Sequence, residues 1–116
     1  MRTFLLAAAF TALSVSAVYA EDVMASRYGN TTITTDASGL QARIYYNADH
    51  TFTGKQGGMD FKGTWKLNDA STQICLTYDS APANTPNPLC APIAAHKVGD
   101  KWSAAGRNLT LVQGIQ

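Results

Sequence analysis

Cys75, Cys90, His50 and His96, with a thin scatter of serines and carboxylates, are the side chains here on which covalent or metal chemistry would depend. Two cysteines permit a single intramolecular pairing. They lack the C-x-x-C spacing of thiol redox and zinc sites and have no flanking ligands, so a disulfide is expected. Closing a loop of that length restricts the unfolded chain by about 3 kcal/mol, provided the compartment is oxidising. His50 follows Asp49 in a turn-like stretch, and His96 precedes Lys97. Acid–base work by either would need a converging nucleophile, yet no G-x-S-x-G, H-E-x-x-H or glycine-rich phosphate loop is present. Both histidines are therefore expected in solvated turns or at strand edges. A metal site needs three or more convergent ligands, and His50, His96 and Asp60 are the one remote set. The sequence thus points to no catalytic residue and no cofactor.

The segments that would position these residues read as short β runs separated by turn chemistry, the pattern of an antiparallel meander. Thr31 to Thr35 is β-branched throughout and stops at Asp36-Ala-Ser-Gly39. From Leu40 to Tyr46 the residues alternate, with Leu40, Ala42, Ile44 and Tyr46 on one face. Thr51 to Thr53 is extended, and Gly54 with Gly57-Gly58 should end it early. In Met59 to Leu67, the residues Met59, Phe61, Trp65 and Leu67 face one way and Asp60, Lys62, Thr64 and Lys66 the other, as for a sheet with one wet face. Gly63 falls on the apolar side, where a missing side chain permits a bend or close crossing. Gln73 to Tyr78, Cys90 through Ile93 to Val98, Lys101 to Ser103 and Leu109 to Gln113 complete about eight strands. Such a meander closes into a small barrel or divides into a two-sheet sandwich, so the fold class is all-β. Residues 21–30 break the pattern; Asp22 is placed to cap a helical turn through Val23, Met24 and Tyr28 that plugs one barrel end, with a frayed leader as the alternative.

Residues 1–20 have the parts of a secretory signal peptide: Arg2, an apolar run from Phe4 to Leu13, and Val18-Tyr-Ala20 before Glu21. The run is shorter than the roughly 20 residues of a membrane span, and no cysteine for a lipid anchor lies near the exit. A single β domain, residues 21–116, is expected to be periplasmic or secreted, without a membrane anchor, and monomeric. The chain has 9 basic and 8 acidic side chains, and removing Arg2 with the leader balances them at 8 each. A neutral surface argues against nucleic acid and other polyanions as partners. Asn30-Thr-Thr32 and Asn108-Leu-Thr110 match the glycosylation triplet.

The stretch Arg43-Ile-Tyr-Tyr-Asn-Ala-Asp49 with Thr51-Phe-Thr-Gly54, then Gly63-Thr-Trp65, Cys75, Cys90 and His96-Lys-Val-Gly-Asp100 before Trp102, resembles a type of small exported bacterial β domain to which no activity is assigned. That resemblance implies an envelope or periplasmic setting and brings no catalytic residue with it. The D-x-T-F-x-G and G-T-W rhythm also resembles, in architecture, the calycin barrels (lipocalins and avidins).

These readings rank a non-enzymatic binding or interaction protein first. A carrier of a small hydrophobic ligand inside a calycin-like barrel comes second, and a hydrolase using His50 or His96 third. Mature aromatic residues such as Phe61 and Trp65 are expected in the core. Residues 79–89 cannot extend a central strand, because Pro82, Pro86 and Pro88 lack an N–H. This loop, with Asp79, Pro82, Asn84, Pro86, Asn87, Pro88 and Leu89, is the candidate contact surface for a protein partner, held at its ends by Cys75 and Cys90 and stiffened by its prolines, with a plain surface connection as the alternative.

Overall fold

The computed structural model describes residues 22–116, so the expected leader, residues 1–20, lies outside the described residues. Eight strands follow in chain order: β1 Thr31–Thr35, β2 Gln41–Tyr46, β3 Thr51–Gln56, β4 Met59–Leu67, β5 Gln73–Tyr78, β6 Leu89–Pro92, β7 Lys101–Ala104 and β8 Arg107–Val112. They form one antiparallel sheet in the order β6-β5-β4-β3-β2-β1-β8-β7. Each strand pairs with its chain neighbour except β6 with β7, and β1 pairs with β8 from Thr31↔Val112 to Thr35↔Asn108. The sheet therefore curls into a nearly closed barrel rather than a sandwich, with one unzipped seam between β6 and β7.

Turn chemistry explains where the strands stop. Asp36 Oδ1 accepts from the Ser38 and Leu40 N–H groups at 2.9 and 3.0 Å. Asp49 Oδ1 accepts from Thr51 N–H at 3.0 Å, and Asn68 Oδ1 from Thr72 and Gln73 N–H at 2.8 and 2.9 Å. These side-chain acceptors take the place of backbone partners and reverse the chain.

Inside the barrel, Phe52, Phe61, Trp65 and Tyr78 meet across β3, β4 and β5, with Phe52 edge-on to Tyr78 at 5.3 Å between centroids. Gly63 makes this possible: a Cβ there would lie 1.9 Å from the Thr77 carbonyl oxygen of the neighbouring strand. Gly54 does not end β3 as expected. It is buried within the strand, and a Cβ would strike the Phe61 ring at 2.2 Å, so the glycine makes room for that ring. Alternation also overreaches at two positions. Leu40 and Met59 are exposed, because they sit at turns where the inward face has already run past the end of the barrel. Leu89 belongs to β6 rather than to the loop, and the run after Pro92 leaves the sheet, so residues 93–98 are not strand.

Residues 22–29 plug the end of the barrel at which β1 begins. Asp22 Oδ1 accepts from Met24 N–H at 2.9 Å, and Ala25–Arg27 forms a 3-10 turn. Met24 is fully buried, and Tyr28 lies 6.3 Å from Trp65. The Asn30 side chain fastens the plug to the other terminus, donating to Ser26 O and accepting from Gly114 N–H at 2.8 Å each.

Candidate functional site

Aromatic side chains fill the half of the barrel behind β3 and β4. The other half is hollow because its wall is built from small residues: Thr32 and Thr34 on β1, Ala91 on β6, Ala104 on β7 and Ala105 in the turn that follows. Opposite them stand Ile44 and Tyr46 from β2 and Ile74 and Leu76 from β5. The result is a cavity of about 130 Å³ that reaches the β6–β7 seam, where Leu89, Ala91 and Pro92 face Trp102 and Ala104. An eight-stranded barrel is just wide enough to fill itself or to hold one small molecule. Here it does half of each.

Two buried polar groups stand out in this mostly apolar lining, which also includes Thr34, Tyr46 and the exposed Arg107. Arg27, on the 3-10 turn, is 3% exposed. Its guanidinium donates to the carbonyls of Val23 and Ala94, the latter at 3.1 Å, and lies 5.6 Å from the centroid of the Trp102 ring. Burial lowers its affinity for the proton, and the nearby Tyr46 hydroxyl partly offsets that. Among the described residues no carboxylate forms an ion pair with it. Asp100 is turned to Lys97 N–H at 2.9 Å and to His96 Nδ1 at 3.5 Å. The second group is Thr32, 2% exposed, whose buried hydroxyl has no hydrogen-bond partner. Leaving such a group unsatisfied costs about 1–3 kcal/mol. Burial also pushes the Tyr46 hydroxyl up to about 12, so it stays a neutral phenol at ordinary pH.

The residues singled out from the sequence are dispersed. His50 is exposed in the turn between β2 and β3, as expected, and stacks on Trp65 at 4.0 Å, whereas His96 is half-buried outside the strands and stacks on Trp102 at 3.6 Å. Asp60 lies beside the β3–β4 turn, at the barrel end away from the plug. Among the described residues no group of three or more His, Cys, Asp or Glu is placed to hold a metal ion. Cys75 and Cys90 are bonded, directly opposite each other on β5 and β6.

Residues 79–88 close over that same far end. Asn87 imitates a strand neighbour, accepting from Tyr78 N–H at 2.9 Å and donating to Tyr78 O at 3.1 Å. Ala81 packs on the core, and Pro82 and Thr85 roof a small void of about 40 Å³ above Phe61, Tyr78 and Arg107. Asp79, Asn84, Pro86, Asn87 and Pro88 are exposed, whereas Pro82 and Leu89 are half-buried.

Sequence reasoning missed Arg27, Thr32 and Trp102 as one site. The available signal was a lone arginine between Met24 and Tyr28, inside a segment read as an apolar plug. Comparison with family models, curated proteins and solved structures returned no match.

Proposed function

We propose that the domain is an exported, non-enzymatic binding protein that carries a small apolar ligand inside its barrel. The cavity beside the β6–β7 seam is the observation that supports this. Its volume is similar to that of an engineered cavity of about 150 Å³ that accepts benzene, and the small side chains around it leave that space where bulkier ones would fill it. The disulfide fits an oxidising compartment, and no described helix is long and apolar enough to cross a membrane.

The test is a thermal-shift and NMR titration with neutral apolar probes, toluene and 1-hexanol, on the native protein and on Ala91→Leu and Ala104→Leu. Native protein is expected to gain several degrees in melting temperature at millimolar probe, with shifts confined to residues lining the cavity. The filled variants are expected to lose that response. A native protein indifferent to both probes and to their carboxylate counterparts would refute the carrier reading.

Contact with a protein partner through residues 79–89 is the second reading. Its support is the exposure of Asn84, Pro86 and Pro88 on a loop pinned through Asn87 and by the disulfide that follows.

A further inference from the structure

We infer that the cavity is specific for a small monocarboxylate, whose acid group seats between Arg27 and Thr32. This rests on the carrier reading above and adds the chemistry of the ligand. Arg27 brings a buried positive charge to the wall of a mostly apolar space, and no described carboxylate neutralises it; Arg107, the other cation in the lining, is exposed to solvent. Buried charges are ordinarily paired. Its two bonds to the Val23 and Ala94 carbonyls leave guanidinium donors over, in the planar fork that matches a carboxylate.

Thr32 supplies the independent observation. Its hydroxyl is buried in the wall of the same cavity with nothing to bond. A purely structural Arg27, clamping the plug to residue 94, accounts for the two carbonyl bonds. It accounts neither for the missing counter-charge nor for the orphan hydroxyl. A carboxylate satisfies both at once, one oxygen toward the guanidinium and the other accepting from Thr32. A neutral alcohol could bond Thr32 but would leave the cation uncompensated, and a cationic ligand would be repelled.

The remaining walls decide the body of the ligand. Ile44, Ile74, Leu76 and Leu89 offer apolar contact and no directional partner. A volume near that of a benzene-binding cavity limits the buried portion to about six carbons. Hexanoate and benzoate are therefore the class, the tail pointing away from the plug, past Leu89 and toward Ala105.

The experiment compares hexanoate with 1-hexanol, one apolar tail with two head groups, by NMR titration of the full mature protein at neutral pH. Hexanoate is expected to bind at least tenfold more tightly, and the carboxyl signal of [1-13C]hexanoate to shift on binding. Thr32→Val is expected to weaken hexanoate several-fold and leave 1-hexanol unchanged. Arg27→Gln should remove the preference for the acid. Should that variant fail to fold, Arg27→Lys keeps the charge without the fork, and is expected to retain part of the preference. Equal binding of acid and alcohol by the native protein overturns this inference and leaves the carrier reading standing. Binding of neither overturns both. A native preference that survives unchanged in Thr32→Val and in the Arg27 variants places the acid elsewhere and also overturns the inference.

Discussion

Trp65 concentrates several roles in one side chain: it is 3% exposed, it donates from Nε1 to Asn47 O at 2.9 Å, and its ring carries His50. Trp65→Ala is expected to cost about 3–5 kcal/mol, as other large aromatic truncations do, and a urea melt of the purified variant measures it. A midpoint close to that of the native protein would mean the ring is not core. Tyr46 sets a different limit. Burial raises its hydroxyl to about 12, above the ordinary value of about 10. The folded state thus favours the neutral phenol. That contribution is complete below the unfolded value and disappears as the pH climbs from 10 through 12. Urea midpoints should fall across that window, and less steeply in Tyr46→Phe, with Tyr78, also raised by burial, supplying part of what remains. Phe61 and Trp65 were legible in the sequence because strict alternation with lysines leaves one face for the core. Arg27 was not, because its burial depends on Ala94 and Trp102, which the chain reaches only after most of the barrel is built.

Strand placement was legible to within a residue or two wherever β-branched or alternating runs met Asp, Asn or Gly turns, as at Thr31–Thr35 and Gln73–Tyr78. It failed where one glycine had two meanings. Gly54 resembles a breaker in one dimension, and only the register Gly54↔Phe61 reveals that it yields space to a ring across the ladder. Likewise, apolar residues from Ala91 to Val98 suggested a longer strand, but the chain turns away after Pro92 to run past the plug, where Ser26 Oγ donates to His96 O. The loop at residues 79–88 can be examined as an element. Replacing residues 80–88 with a Gly/Ser linker of equal length removes Asn87 and its two bonds to Tyr78, and modest destabilisation is expected with the barrel's circular dichroism retained. Pull-downs from envelope extract then separate the roles. A specific partner captured by the native protein and lost by the variant supports a contact surface; an unchanged set of partners, or none with the native protein, refutes it.

For the molecule as a whole, the leader reading predicts that secreted protein begins at Glu21 and weighs two hydrogens less than its reduced form, by intact mass spectrometry. A mass that retains Met1 would refute the export reading. An all-β meander of eight strands was legible from the regular spacing of turns, but barrel against sandwich was not, because alternation records which residues face inward and not which strands finally meet. That choice is made by the pairing of β1 with β8. The same pairing has a consequence in time. The first strand remains without its second neighbour until residues 107–112 are available, so the sheet cannot curl shut before that segment has been made. Contacts between such distant segments slow folding by delaying their reward until a large loop has closed. A barrel closed by its first and last strands thus acquires its cavity late, once residues 107–112 can pair with β1.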